Sequence, residues 1–290
     1  MQLDGRREST NVEDRRGMST GTKAGLGIGG VLIIGLITLL MGGDLCDVIQ
    51  NVQSQGGIQT TQTTRTEFTQ EEQELATFSR KILAGTEDVW TAILAKYGVE
   101  YTSPTMVLYS GATSSGCGSA NSSVGPFYCS ADQCLYLDLS FFTSMKQQLG
   151  ADGDFAYAYV IAHEVGHHVQ NLLGTLSEKH QQMAQYGKNN PKYNETSVRI
   201  ELQADFYAGV WGHYENKMFG SLEDGDLEEA INAAQKIGDD YLQKQAGYRQ
   251  VQSDLFTHGT SAQRMRWLKK GLSTGNLSQG DTFSPSYSSL

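Results

Sequence analysis

The stretch His163-Glu164-Val165-Gly166-His167 decides how this chain is interpreted. Residues four apart on a helix lie on one face, so the two imidazoles of this HExxH motif can reach a single metal ion. Glu164, beside the first imidazole, can act as the general base for a water molecule that zinc activates. The motif therefore predicts a zinc site with His163 and His167 as ligands and Glu164 as a catalytic residue.

The residues around the motif indicate that its helix is buried. Apolar residues lie nearly all round the helix over residues 155–162, Asp154 could cap its start, and Gly174 is a plausible end. A buried helix must satisfy the polar groups that it carries, and metal ligation does so for both histidines and the glutamate. His168 falls on another face, so we interpret it as a residue that does not bind the metal.

The third ligand must come from elsewhere in the chain, because a catalytic zinc ion needs three protein ligands and one open position. The metzincin extension of the motif requires a glycine and a histidine where this chain has Gln170 and Leu173, so that pattern is not met. Farther along, Glu201 and Asp205 lie four apart near the start of a second helical pattern, for which Ser197 is a reasonable N-cap.

Glu201 is the predicted third ligand, and Asp205 would lie behind it and orient a ligating imidazole. An ordinary acidic first turn, favoured by the helix dipole, is another explanation of these two carboxylates. Two histidines compete as third ligands: His180 in a polar stretch and His213 late on the second helix.

Other segments accompany these motifs, namely residues 6–9, 11–17, 125–129, 138–142, 168–170, 208–211 and 257–259. Together they resemble the predicted neutral zinc metallopeptidases of bacteria, over nearly the whole chain. The resemblance implies a membrane-anchored zincin with Zn²⁺ as its cofactor and a glutamate as third ligand. It assigns ligation to His163, His167 and Glu201, whereas Cys134 departs from the family pattern.

Residues 24–43 form an unbroken stretch of 20 apolar or small residues, which is long enough to span a bilayer. A cleaved signal peptide is the alternative, but the stretch does not end in an A-x-A cleavage pattern. We therefore expect one uncleaved transmembrane helix. Its glycines could let a second copy approach closely, so a homo-oligomer formed through this helix is a candidate assembly.

The basic residues set the expected orientation in the inner (cytoplasmic) membrane. Five of them precede residue 24, whereas the next Lys or Arg after the stretch is Arg65. The positive-inside bias then keeps the N-terminus cytoplasmic and places the rest in the periplasm or outside the cell. The net charge of −10, without a basic patch, excludes a typical nucleic-acid-binding protein.

Cysteine usage agrees with export, because an oxidising compartment permits a disulfide. Cys117–Cys129 is the preferred pair, since it closes a loop rich in glycine and serine. Cys117–Cys134 is the alternative, and Cys46 is left over at the edge of the apolar stretch.

The predicted fold class is α+β: a zincin-like metallopeptidase domain, mostly helical with a small sheet, preceded by one transmembrane helix. Thr69 and Glu72 form a capping box at the start of the domain, and residues 106–109 and 135–139 are predicted strands. The predicted segments are a cytoplasmic tail (1–23), a transmembrane helix (24–43), a flexible linker (44–67), the catalytic domain (68–272) and a disordered serine-rich tail (273–290).

The sequence also offers candidates for a substrate-binding segment and for a second catalytic residue. An extended peptide can add to an edge strand above the active-site helix, and residues 135–139 or the loop 125–128 are candidates. His258, in a loop before a well-capped helix, is the candidate donor to the carbonyl oxygen in the transition state. Asp239 and Asp240 are interpreted as solvated rather than as a calcium site.

The hypothesis is a membrane-anchored zinc-dependent metallopeptidase that hydrolyses bonds in proteins or peptides, with a zinc-activated water and Glu164 as general base. One alternative is a non-catalytic zinc-binding scaffold or chaperone of the cell envelope. Another is a zinc amidase that acts on cell-wall peptides. The intact Glu164 argues against the scaffold, because a structural zinc site needs no base beside its ligand.

Overall fold

The computed structural model describes residues 1–17, 20–21, 61–62 and 67–290. These residues form a mostly helical mixed α/β structure with a small sheet, as the sequence predicts. The strands are β1 (Val12–Asp14), β2 (Thr20–Gly21), β3 (Thr61–Gln62), β4 (Thr105–Tyr109), β5 (Ala112–Ser115), β6 (Gly118–Asn121), β7 (Phe127–Cys129) and β8 (Cys134–Asp138).

The largest sheet has four strands in the order β1-β4-β8-β7. In this sheet β1 and β8 run parallel to β4, and β7 runs antiparallel to β8. The strands β4 and β8 are apolar runs buried on both faces, which is the pattern of central parallel strands. They confirm the predicted strands 106–109 and 135–139 to within one residue at each end.

Helices contain far more of the described residues than strands do. They are α1 (Gln70–Ala95), α2 (Ser140–Ser144), α3 (Asp154–Leu172), α4 (Thr175–Tyr186), α5 (Pro191–Phe219), α6 (Asp226–Lys236), α7 (Asp239–Gln245) and α8 (Ser261–Thr274). The predicted capping box of Thr69 with Glu72 is present at the start of α1. The HExxH motif lies on α3, and most residues of this helix are buried, as predicted.

One hydrophobic core joins α1, α3 and α5 to the sheet. Its largest fully buried side chains include Trp90 of α1, Phe155 of α3 and Trp211 of α5. Burying one large apolar side chain contributes roughly 1.5–3 kcal/mol, so this core holds α3 and α5 firmly side by side. That arrangement fixes the distance between the motif and the second helical pattern.

Helices α5 and α8 cross where glycines replace side chains. A Cβ added at Gly271 would collide with the Phe206 carbonyl oxygen and would lie 2.9 Å from the Gly209 Cα. We expect Gly271→Ala to lower the free energy of unfolding by about 1–3 kcal/mol, since overpacking forces the two helices apart. Urea unfolding measures the change. Lys269→Ala, at an exposed position of the same helix, is the control, and equal stability of both variants would contradict the prediction.

The prediction of a transmembrane helix ahead of the domain is wrong for the structure that is described. In residues 1–17, 20–21, 61–62 and 67–290, none of the helices has both the length and the apolar character needed to cross a bilayer. Residues 24–43, which carried that prediction, and nearly all of the predicted linker lie outside the described residues. The apolar composition of a stretch is a local property, and composition by itself does not establish a helix.

Residues 1–17 are part of the same folded structure as the helices. Val12 is opposite Met106 in the sheet, because β1 extends the sheet beside β4. The Arg6 guanidinium donates to Glu215 of α5 at 2.5 Å, and Arg16 donates to the Glu72 carbonyl oxygen at 2.9 Å. These contacts differ from the predicted separate tail of residues 1–23.

The C-terminal segment is ordered, although its serine-rich composition predicted disorder over residues 273–290. It contains the short 3₁₀ turns Leu277–Gln279 and Tyr287–Ser289. Leu290 is buried against the core. Tertiary contacts supply the order here, and a composition-based prediction does not include them.

The cysteines pair as preferred. Cys117 and Cys129 form a disulfide, and Cys134 is a free, half-buried thiol. Cys134 lies opposite Cys129 in the β7–β8 hairpin, and burial raises the pKa of its thiol. Cys46 lies outside the described residues.

Candidate metal centre

Helices α3 and α5 bring three metal-binding side chains together. His163 and His167 lie on α3, and Glu201 lies on α5. The Nε2 atom of His163 is 3.1 Å from Glu201 Oε2, and the Nε2 atom of His167 is 3.4 Å from Glu201 Oε1. One ligand atom from each residue lies within 4.8 Å of the other two. The structure thus groups the three predicted ligands.

The geometry and chemistry of these donors fit zinc. A tetrahedral ion with bonds of about 2.1 Å keeps its ligand atoms about 3.4 Å apart. The two histidine–Glu201 distances, each to a different carboxylate oxygen, are of this size, and the three ligand atoms lie within 4.8 Å of one another. Two imidazole nitrogens with one carboxylate oxygen are a ligand set that catalytic zinc uses, and three protein ligands leave one position open. The residues therefore suit a catalytic zinc ion better than a structural one.

A glycine inside the motif allows the two helices to approach each other. A Cβ added at Gly166 would lie 2.9 Å from the Ala204 carbonyl oxygen of α5. A Cβ atom essentially never lies this close to a carbonyl oxygen in a folded protein. Any larger residue at position 166 would therefore push α3 away from α5. Gly166 therefore lets Glu201 reach both imidazoles.

The second ring nitrogen of His163 is held by Asp205, in the position that the sequence predicted. Asp205 Oδ1 lies 2.8 Å from His163 Nδ1 and accepts from the Tyr159 hydroxyl at 2.6 Å. Burial opposes ionisation of Asp205, but Arg264 and His163 outweigh it and hold its pKa at about 2. An ionised carboxylate only accepts, so His163 donates from Nδ1, and its Nε2 faces Glu201, where it could bind a metal ion.

Arg264 is a residue of this site that sequence reasoning missed. Its guanidinium donates to both oxygens of Asp205, from Nε and Nη2, each at 2.9 Å. Nη1 of the same side chain donates to the Ile237 carbonyl oxygen at 3.2 Å. Both Arg264 and Asp205 are buried, and the bidentate pair balances the charge of the carboxylate behind the ligand. The sequence places Arg264 in the first turns of α8, where nothing distinguishes it from a surface residue.

We expect Arg264→Met to weaken zinc binding about 10–100-fold, because the carboxylate that orients His163 loses its fixed position. The same change leaves a buried charge unpaired and should lower the free energy of unfolding by about 3–5 kcal/mol. Competition with a chelator measures the first effect and urea unfolding the second. Lys269→Met, on the exposed face of the same helix, is the control. Unchanged zinc affinity in Arg264→Met would contradict this prediction.

Glu164 lies beside the ligands in a mostly buried position, with 8% of its surface exposed. Burial raises the pKa of its carboxyl, while the charges of His163 and His167 act in the opposite direction. The backbone of Tyr128, on β7, lies close enough to this carboxyl to favour its ionised form. The edge strand β7 therefore lies beside the Glu164 carboxyl.

His168 makes structural contacts, consistent with its interpretation as a residue that does not bind the metal. It is fully buried, and its Nε2 donates to the Thr102 carbonyl oxygen at 2.6 Å. Its Nδ1 is therefore the acceptor, and the Tyr128 hydroxyl donates to it at 3.0 Å. This contact ties α3 to β7.

His258 lies near the centre but outside the group of three. Burial opposes ionisation of Glu201, yet the charge of His167 and the more distant charge of His258 lower the pKa of Glu201 well below its usual range. Asp239 holds the His258 loop, since it accepts from the backbone N–H groups of residues 257–259 at 2.7–2.9 Å. Asp239 is fully buried, so its interpretation as a solvated residue is wrong.

The two competing histidines lie elsewhere. His213 is 12 residues beyond Glu201 on α5, roughly 18 Å along the helix, and its Nδ1 donates to the Leu272 carbonyl oxygen at 3.0 Å. His180 is exposed on α4. In the part of the chain that the structure describes, the group of possible metal ligands contains neither.

The fold and this site define a protein with three possible metal ligands on two helices, two of them from an HExxH motif. The chain belongs to the family described as "Putative neutral zinc metallopeptidase", whose model matches residues 1–283. It is 48% identical over 293 residues to "Uncharacterized protein YpfJ" of Escherichia coli strain K12, covering 99% of this chain and 100% of that protein. It is 43% identical over 206 residues to "Uncharacterized protein Mb2605" of Mycobacterium bovis, covering 68% and 66% respectively. The comparison with solved structures finds no match.

Proposed function

We propose that this protein is a zinc-dependent metallopeptidase in which His163, His167 and Glu201 hold the metal and Glu164 is the general base. The observation that carries the proposal is the convergence of three zinc-type donors from two helices, with a carboxylate directly beside them. Membership of the zinc metallopeptidase family supports the same reaction class. The Glu164 carboxylate also separates this site from a purely structural one.

Each side chain has a definite part in peptide hydrolysis. A bound zinc ion would polarise the scissile carbonyl and lower the pKa of the attacking water. Glu164 accepts the proton of that water and passes it to the leaving amine. Burial raises the pKa of the Glu164 carboxyl. Asp205 keeps the His163 ring in the orientation that ligation requires.

His258 is the proposed donor to the carbonyl oxygen of the substrate. Its side chain is 28% exposed in the loop before α8, and it approaches Glu201 closely enough to affect the pKa of that carboxyl. The Asp239 carboxylate lies 3.2 Å from His258 Nδ1, which leaves Nε2 for a substrate. A donor placed there would stabilise the negative oxygen of the transition state.

The proposed substrate is an extended protein or peptide segment beside β7. Of the two candidate segments, residues 135–139 fall on β8, which is paired on both sides by β4 and β7. A paired strand has no free backbone groups for another strand. By contrast, β7 lies at the edge of the described sheet, and its Tyr128 backbone lies near Glu164. An added strand there would place its carbonyl groups next to the metal centre.

We also propose that the protein works in an oxidising compartment outside the cytoplasm. The Cys117–Cys129 disulfide supports this, because such bonds persist where thiols are not kept reduced. Residues 1–17 would share that compartment, since β1 is hydrogen-bonded into the same sheet as β4.

The test is metal analysis of the purified full chain, together with cleavage of a peptide library. We expect one zinc ion per chain, cleavage that a chelator stops, and recovery when zinc is added back. Stoichiometric zinc without cleavage of any peptide would contradict the proposal and favour the scaffold. Release of amide-linked groups from cell-wall peptides alone would favour the amidase.

A further inference from the structure

Buried amides connect the metal ligand His167 to the C-terminal segment. His167 Nδ1 is 2.9 Å from Gln170 Oε1, and Gln170 Nε2 is 3.1 Å from Gln203 Oε1. Gln203 Nε2 then donates to the Gly280 carbonyl oxygen at 2.9 Å. Gln170 Nε2 also donates to the Ile200 carbonyl oxygen at 2.8 Å. Both glutamines are buried, so solvent does not substitute for these partners.

The direction of each hydrogen bond follows from the backbone carbonyl groups, which can only accept. Because Gly280 and Ile200 accept through their carbonyl oxygens, the partners on Gln203 and Gln170 must be the NH₂ groups. The amide oxygens of both glutamines are therefore turned the other way. Gln203 Oε1 accepts from Gln170, and Gln170 Oε1 is left facing His167.

An amide oxygen has no proton to give, so His167 must donate from Nδ1. In the neutral ring that zinc ligation requires, Nε2 then carries the lone pair, on the side where Glu201 lies 3.4 Å away. We propose that Gln170 and Gln203 are positioning residues that select the zinc-binding tautomer of His167, and that residues 280–283 complete this site from the C-terminal segment. The inference rests on the proposed function only in taking His167 as a zinc ligand.

The C-terminal segment is anchored well enough to play this part. Arg199 donates to the carbonyl oxygens of Thr282 and Phe283, and the Thr282 hydroxyl donates back to the Arg199 carbonyl oxygen at 2.7 Å. A Cβ at Gly280 would lie 2.6 Å from the Phe206 ring, so the segment packs closely on α5. Its position is thereby coupled to the helix that carries Glu201.

The experiment compares zinc affinity and the His167 ring proton in full-chain variants. Gln170→Leu is expected to weaken zinc binding about 10–100-fold and to remove the slowly exchanging Nδ1–H signal of His167 in NMR spectra of the zinc-loaded protein. Gln203→Leu should weaken binding less, roughly two- to tenfold, because Gln170 keeps its bond to the Ile200 carbonyl oxygen. Gln170→Glu retains an acceptor for Nδ1 and should keep the ring signal.

Gln243→Leu is the matched control. Gln243 is equally buried and makes two hydrogen bonds with the backbone of Gln252, remote in the chain from α3 and α5. The Gln243→Leu variant should be less stable than the wild type, while its zinc affinity stays at the wild-type value. Wild-type affinity in Gln170→Leu, or an equal loss in Gln243→Leu, would overturn the role of Gln170. Wild-type affinity in Gln203→Leu would overturn the part of the C-terminal segment. Peptide cleavage is not among these readouts, so a zinc-binding chain that cleaves nothing would contradict only the proposed function.

Discussion

Glu164→Gln is expected to lower kcat for peptide cleavage by about 10²–10⁴-fold while zinc content stays at the wild-type value. The amide has nearly the same shape as the carboxylate but cannot accept a proton from water. Because Glu164 is not among the three metal donors, its replacement leaves the ligand set intact. Steady-state kinetics on a cleaved peptide, with metal analysis of the same sample, measure both quantities.

Glu228→Gln is the matched control for this change. Glu228 is an exposed residue of α6, so the same chemical change there should leave kcat unchanged. If Glu164→Gln cleaves peptides at the wild-type rate, the base is another group, and the buried position of Glu164 has a structural cause. A parallel loss of zinc in this variant would also contradict the prediction, since it would make Glu164 part of the metal binding.

Glu201→Ala is expected to weaken zinc binding by more than about 100-fold. Replacing a residue that only orients a metal ligand costs roughly 10–100-fold in affinity, and this change removes a ligand itself. The reason is that two imidazoles remain from a site that needs three protein donors. The lost carboxylate also lies between His163 and His167, at 3.1 Å and 3.4 Å from their Nε2 atoms. Activity should fall with the bound metal, and adding excess zinc should restore little of it.

His213→Ala and His180→Ala separate the competing ligand assignments. Both variants should keep wild-type zinc affinity, because His213 contacts Leu272 and His180 is exposed on α4. Unchanged zinc stoichiometry in Glu201→Ala, together with a loss in either histidine variant, would move the third ligand to that histidine. Chelator competition on all three purified chains distinguishes these outcomes.

The candidate site was largely predictable because its strongest signals are local. The spacing of His163 and His167 is set by one helical turn, and the same spacing linked Glu201 with Asp205 on the second helix. Arg264 and Gln203 could not be found in this way. Their roles depend on which carboxylate or amide lies opposite them after folding. The residues next to them in the sequence do not indicate that partner.

The fold was predictable in the elements with strong periodicity and less so at their ends. The central strands β4 and β8 and the capping box of α1 agree with the sequence pattern. However, α5 begins at Pro191 with Asn190 as its cap, about two turns before the predicted cap Ser197. The Asn190 side chain accepts from the Lys192 N–H and Pro191 takes the first helical position, so the true start of α5 has a local signal that the prediction of Ser197 missed.

The transmembrane prediction shows the limit of reading composition alone. A stretch of 20 apolar or small residues has the length of a membrane helix, but length and hydropathy are properties of the isolated segment. The pairing of β1 with β4 and the order of the C-terminal segment are decided by contacts between residues far apart in the chain. A prediction from composition does not include those contacts.

The amino-acid sequence by itself determined the chemistry of this protein: two imidazoles, a neighbouring carboxylate and two further acids at helical spacing. Those groups follow from i, i+4 geometry, which is the same in any helix. Only the tertiary structure decided how α3 meets α5 at Gly166, and which buried partners orient each ligand. Close packing and hydrogen-bond direction depend on the whole fold, because a buried polar group must find its partner wherever the chain has placed one.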